Sequence, residues 1–450
     1  MISVHGSSLA LIKYKGLVLL TSWNDTMDTW SRLLEMELRQ LKDEGFDLRS
    51  VEELVTGTTP IKGILELTLI REQLKPVEGY KYREPNSLEE IKKYRHRGPR
   101  ELEVDRSTVK QRIAGGWMGR IAGCILGKPV EGWPYEKIRR GLMKIGEYPL
   151  KYYFPSEMFK DDREKLPLTR GNIQYAERDD DTDYTILNLH IVETYGLRFT
   201  TGNIAEEWLT HLPYQCTYTA ERVAYRNLVL GIRPPATATF LNPYREWIGA
   251  RIRADIWGYI CPGRPEEAAE LAYRDAVLSH TKNGIYGEMF TAATIAAAFS
   301  VDTPLEAIEV GLSEIPKTSR LFEAIEYVVK LYKRGMTWEE AIKRIIDTYG
   351  KYHPVHVINN TALTVAALLW GEGDFSKTIT LAVMGGWDTD CNGATAGSIV
   401  GVLCGIERVP RRWWEVFNNT IRSAVMGFDN SRITDLIERT TRLSQYRVGE

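Results

Sequence analysis

GGWDTDCNGATAGSIVGVLCG, residues 385–405, is the stretch on which the fold turns. Asp388 and Asp390 flank Thr389, directly after a glycine pair and directly before a glycine-rich run. Gly393, Gly397, Gly401 and Gly405 recur every four residues, so they fall on nearly one face of a helix. A face without side chains lets another backbone come close. The two carboxylates then sit at or just before the helix N-terminus, where free N–H groups and the positive end of the dipole orient acidic side chains. Apolar segments on both sides, residues 379–384 and 399–403, predict a buried setting. Buried carboxylates need a cation or hydrogen bonds. Taken alone, Asp388 or Asp390 also reads as a plain N-cap ahead of a small-residue packing helix. The site reading depends on matching carboxylates elsewhere in the chain.

Composition narrows the class. A chain of 450 residues has room for one large domain with an appendage. Its 43% hydrophobic and 26% charged residues are ordinary for a soluble globular protein. A net charge of -2 supplies no global attraction for nucleic acid. The five cysteines, Cys124, Cys216, Cys261, Cys391 and Cys404, are scattered and lack CxxC spacing. That argues against a disulfide framework or a zinc finger and for a reducing, cytoplasmic setting. The start of the chain lacks a basic segment followed by a sustained apolar one, so no signal peptide is expected, and no run is long enough to span a membrane.

Residues 1–105 differ in character from the rest and read as an accessory or oligomerisation region with a linker. Residues 9–21 read as a strand pair. Trp30, Leu33, Leu34, Leu38 and Leu41 mark an amphipathic helix ending near Gly45. Residues 61–70 fit a strand or a short helix equally. Residues 75–106 are charged and punctuated by Pro76, Pro85 and Pro99, as a surface linker would be. A second glycine stripe follows, Gly115, Gly119, Gly123 and Gly127, on a helix expected from near Ser107 to just before Pro129. Glu131 stands just beyond it, and by itself reads as a solvated loop acid. The acidic run Glu177-Arg178-Asp179-Asp180-Asp181-Thr182-Asp183 opens a helix with apolar Ile186, Leu187, Leu189, Ile191 and Val192. Strand signals are scarce from there on, so residues 106–450 read as an all-α domain of many helices. Two acidic helix starts plus a Glu supply the hard oxygen donors that suit Mg²⁺ or Mn²⁺. Without a metal, such carboxylates in one cavity would repel each other and take up protons.

Together these motifs resemble the ADP-ribosylglycohydrolase superfamily. Its glycine-rich helix ending in a Glu corresponds to GRIAGCILGKPVE, ending in Glu131. Its Thr-Asp-Asp-Thr-like motif corresponds to Asp179-Asp180-Asp181-Thr182, and its late Gly-Gly-Asp-Thr-Asp-Thr motif to Asp388-Thr389-Asp390-Cys391. GARIRADIWG, residues 249–258, looks like the family's Gly-Ala-x-x-Arg segment, and Ser279-His280 like its Thr-His step. The resemblance spans roughly residues 107–430 and omits the first hundred.

The resemblance implies an all-α domain that holds two Mg²⁺ ions and releases ADP-ribose from a protein or small molecule. A metal-held water would attack C1″ while oxocarbenium character builds there. Carried over motif by motif, Asp179, Asp180, Asp181, Asp388, Asp390 and Cys391 are the expected metal residues. Glu131, Asp181 and Asp388 are the expected catalytic acids. Arg253, His280, Asn283 and Trp387 are the expected substrate contacts. Two departures stand out: Asp179 replaces the family's Thr, and Cys391 replaces a Thr with a softer group poorly suited to Mg²⁺. They keep two alternatives open, a hydrolase of another ribosyl substrate such as a nucleoside, and a non-catalytic binding member. No nucleic-acid or membrane partner is expected, and the oligomeric state is open.

Overall fold

The computed structural model describes residues 11–14, 17–20 and 29–445. The chain forms two compact units. The smaller ends at Tyr80 and also includes Leu241–Pro243; the larger comprises the rest.

In the smaller unit, strands Leu11–Tyr14 and Leu17–Leu20 pair antiparallel, Leu11 opposite Leu20. The helix Trp30–Asp43 starts at Thr29, whose side chain accepts from the Arg32 N–H. Residues 61–70, undecided on sequence, are helical: Pro60 occupies the first turn of the helix Pro60–Ile70, where its missing N–H costs nothing. Leu41, Val51 and Leu67 form the small core of this unit.

The larger unit is all-α in character. Among the described residues its β structure is one short antiparallel pair, Thr420–Arg422 with Asn430–Arg432, besides isolated bridges. That pair and three single 3-10 turns lie where sequence predicts helices after residue 407; the helix Ile433–Gln445 then closes the described chain. The acidic run straddles a helix start: Glu177, Arg178 and Asp179 precede the helix, and Asp180, Asp181 and Asp183 form its first turn. The helix runs Asp180–Tyr195, with Asp179 as N-cap accepting from the Asp181 N–H, and it stops at Gly196, φ +64°. Residues 81–106 belong to this unit. Arg95 and Arg100 both pair with the buried Glu314, and Lys92 pairs with Glu266 and Glu270. No helix of the described residues is long and apolar enough to cross a membrane.

The two glycine stripes find each other. The helices Val109–Gly127 and Thr389–Cys404 run antiparallel and touch along their backbones. A Cβ built on Gly115, Gly119 or Gly123 would lie 2.1, 2.0 or 1.9 Å from the carbonyl oxygen of Gly401, Gly397 or Gly393. One on Gly127 would lie 2.2 Å from the oxygen of Thr389. Any side chain would therefore force the helices apart, and four-residue spacing is what keeps every contact of the seam bare. Antiparallel register has a functional consequence: the end of the first helix, with Glu131 just past it, meets the start of the second, with Asp388 and Asp390.

Candidate metal centre

Three devices hold the two helix ends in place. The Thr389 hydroxyl donates to the Gly127 carbonyl at 2.8 Å. The loops beyond the ends pair like strands: the Gly132 N–H donates to the Trp387 carbonyl at 2.8 Å, and the Trp387 N–H to that of Trp133 at 2.9 Å. Gly386 makes this crossing possible, since a Cβ there would sit 2.6 Å from the Tyr135 nitrogen. Trp387 itself adopts φ +63°, a conformation uncommon for a bulky residue and often found where a site dictates the backbone.

The carboxylates gather at this junction. Ligand atoms of Glu131, Asp388 and Asp390 lie within 4.8 Å of one another, as do those of Asp181, Asp390 and Cys391, and those of Cys124, Asp179 and Asp181. Shared members make the three groups one continuous cluster. Asp388 stands at the N-cap position of its helix without a side-chain capping bond, so the plain-cap reading does not describe it. Asp180, half-buried, is not among the side chains that approach this closely.

Electrostatics shows what the cluster requires. Burial is the largest influence on Asp181 and pushes its carboxyl up to about 8, although the Arg120 guanidinium beside it pulls the other way. Burial, Glu131 and Asp388 hold Asp390 well above the usual carboxylate range. Burial, then Asp388 and Asp179, push Glu131 up to about 7, although it is the most exposed member. Burial raises Asp388 as well. A helix N-terminus favours a carboxylate by about 0.3–1 kcal/mol, under one pKa unit, so burial and mutual repulsion win. Asp179 is the exception: its pKa is lowered, because Lys128 bonds it at 2.7 Å and outweighs burial. Asp181 Oδ2 and Asp390 Oδ1 are buried with no hydrogen-bond partner. Crowded hard oxygens, two of them orphaned, fit an oxygen-loving divalent cation. Cys391 does not share that hardness; burial and Asp181 raise its thiol well above the ordinary value, so it stays protonated unless a metal displaces the proton.

Two arginines that sequence did not single out position the acids. Arg120, fully buried on the first glycine helix, donates to the Asp181 carbonyl and to Asp181 Oδ1 at 2.7 Å, and pairs with Asp255 at 3.2 Å. Arg251 donates to Asn392 Oδ1 at 2.7 Å and to the Thr364 hydroxyl at 2.9 Å, and it lies on the side of Asp388. Asn360 Oδ1 accepts from the Asp388 N–H and from Asn392. The one available signal was the position of Arg120 within a glycine-rich buried helix, where an arginine needs acidic partners.

The expected substrate contacts divide. Trp387 sits at the junction, half-buried. Arg253, His280 and Asn283 do not join it. Arg253 is fully buried and spends its donors on Glu221 at 2.5 Å, Asp275 at 3.0 Å and the Ser279 hydroxyl at 3.1 Å. His280 is buried, its Nδ1 2.8 Å from the same hydroxyl. Asn283 donates to Glu84 and Glu246 and accepts from the Leu321 N–H. Two arginines two residues apart in Gly249–Arg253 diverge, and Arg251 rather than Arg253 lies on the side of Asp388. On the outer side, Lys137 and Lys165 lie over the Trp133 ring, 3.7 and 5.2 Å from its centre, two residues from Glu131.

The family described as ADP-ribosylglycohydrolase matches over residues 105–447. A solved structure of an "ADP-ribosylglycohydrolase-related protein complex" is 18% identical, with a TM-score of 0.48, over 75% of this chain and 98% of that one. Comparison with curated proteins returns no match.

Proposed function

This chain belongs to the ADP-ribosylglycohydrolase family, a metal-dependent family acting on ADP-ribosylated substrates, and we propose that it is a two-metal glycohydrolase releasing ADP-ribose from a protein or small molecule. The observation that carries the reading is the convergence of Glu131, Asp388, Asp390 and Asp181 at the junction of the glycine helices, with two carboxylate oxygens left without partners. Asp181, Asp388 and Asp390, with Asp179 and Asp180 beside them, would hold Mg²⁺ or Mn²⁺. Such ions would supply positive charge for substrate hydroxyls and for the attacking water.

The chain's own residues have distinct tasks. In this reading Glu131 would take the proton from water as the new oxygen–C1″ bond forms; the bond from C1″ to the leaving atom breaks and that atom keeps the electron pair. Its carboxyl, pushed up to about 7 in the metal-free protein by burial, Asp388 and Asp179, is also the most exposed of the cluster and so open to water. Lys137 and Lys165 beside Trp133 offer charge and a flat apolar face, which favours a diphosphate-bearing substrate over a neutral nucleoside. Arg120 and Arg251 position the acids.

Product analysis tests the proposal. Purified protein is offered ADP-ribosylated protein, O-acetyl-ADP-ribose, NAD⁺ and nucleosides, each with Mg²⁺, with EDTA, and as Asp388→Ala. Free ADP-ribose, lost with EDTA and in the variant, is the expected result. Free base or ribose would indicate a different ribosyl substrate. Silence across the panel with metal still bound would indicate a binding protein.

A further inference from the structure

A second cluster of ligand-type side chains lies on the acid-bearing helix, away from the carboxylate junction. His190 is near the end of the helix Asp180–Tyr195; Glu207 and His211 are one turn apart on the next helix, Thr201–His211. Their ligand atoms lie within 4.8 Å of one another. Glu207 Oε2 stands 2.7 Å from His211 Nδ1 and 3.4 Å from His190 Nε2. We propose that His190, Glu207 and His211 form a transition-metal site of the zinc class that clamps these two helices together.

Four observations carry the assignment. Glu207 is 6% exposed, yet neither its Oε2 nor His211 Nδ1 has a hydrogen-bond partner despite their closeness. Two donors to one tetrahedral ion stand about 3.4 Å apart when each bond is about 2.0–2.2 Å, the separation of Glu207 Oε2 and His190 Nε2, and His211 needs to swing by less than about 1 Å to match it. The other carboxylate oxygen, Oε1, accepts from the Tyr195 hydroxyl at 2.8 Å, which orients Oε2 toward the histidines. The histidine side chains are 23% and 21% exposed, so an ion can enter and a water can complete the shell. Two imidazoles and a carboxylate favour Zn²⁺ over Mg²⁺, whereas the all-oxygen junction favours the reverse. His190 lies nine residues from Asp181, about 13 Å along the helix, so the two sites are separate. A metal here would hold the helix that presents Asp179–Asp181 against its neighbour.

The test uses the full chain, stripped with EDTA and re-equilibrated with Zn²⁺ in excess Mg²⁺ near pH 7.5, with bound zinc counted after gel filtration. One zinc per chain is expected in the wild type and in Asp388→Asn, with loss in His211→Gln and in Glu207→Gln. Zn²⁺ should raise the melting temperature of the wild type and leave those two variants unmoved. A folded wild type that holds no zinc overturns the proposal. So does a zinc count unchanged in both variants, or a Co²⁺-substituted protein whose thiolate charge-transfer band puts the ion at Cys124 or Cys391. If the variants do not fold, wild-type nuclear magnetic resonance decides: Zn²⁺ must shift two imidazole signals, and unchanged signals refute the site.

Discussion

Gly123→Ala probes the seam on which the site depends. The new methyl carbon would stand 1.9 Å from the Gly393 oxygen, 2.3 Å from its carbonyl carbon and 2.8 Å from the Ala394 nitrogen. All three are backbone atoms, so no side chain can rotate away. Relieving the shortest contact to 3.0 Å requires the helices to part by about 1 Å. Alanine gains about 1 kcal/mol of helix propensity over glycine, while overpacking costs about 1–3 kcal/mol, near the upper end for a rigid backbone contact. The net expectation is a loss of about 2 kcal/mol. Activity should suffer more, because the same displacement separates Glu131 from Asp388, and a misplacement of about 1 Å costs about 10²-fold in rate. Calorimetry and turnover on the substrate found in the product panel read the two effects. Gly202→Ala is the control: its Cβ would meet only the Thr200 hydroxyl at 3.4 Å, on an exposed helical turn, and it should be neutral or stabilising. A Gly123→Ala protein as stable and active as the wild type would refute the close-packed seam.

Further outcomes follow from the same geometry. Arg253→Met should lower stability by about 3–5 kcal/mol, since it leaves Glu221, Asp275 and Glu288 buried without their cation; denaturant melts measure this, and an unchanged midpoint would contradict the network. The metal-free protein should melt higher near pH 6 than near pH 8.5. Asp181, raised from 3.8 to about 8, holds a proton in the native state that the unfolded chain has already released, so its stabilising effect is present at low pH and lost as pH rises toward 8. Saturating Mg²⁺ should reverse that order, because cation binding expels the proton; calorimetry in buffers of different ionisation heat would record the release. Glu131→Gln should lower kcat far more than it changes metal affinity, and an equal loss of both would make Glu131 a ligand rather than the base.

The fold was legible because its signals are steric and local. Glycines at every fourth position have one common use, and the acidic helix starts stand out against apolar flanks. The first glycine helix starts at Val109, two residues from the expected Ser107. Partnership was less legible. Nothing in 111–127 states that its stripe meets 393–401; that follows from antiparallel register, which only the folded chain displays. Arg251 and Arg253 are two letters apart, and a 3-10 turn decides which one faces Asp388. His190, Glu207 and His211 come from two helices joined by a short turn, so their approach is a product of helix packing. The segment 75–106 reads as a linker by composition, yet within it Glu84 is buried against Arg320, because a paired charge lies comfortably under a surface that composition alone cannot see.

The most direct test of the central claim is Mn²⁺ titration followed by electron paramagnetic resonance, on wild-type protein and on Asp181→Asn/Asp390→Asn. The account predicts two Mn²⁺ per chain with a spin-coupled signal in the wild type, and loss of that signal in the double variant. Absence of bound Mn²⁺ in folded wild type, or an unchanged coupled signal in the variant, would contradict it.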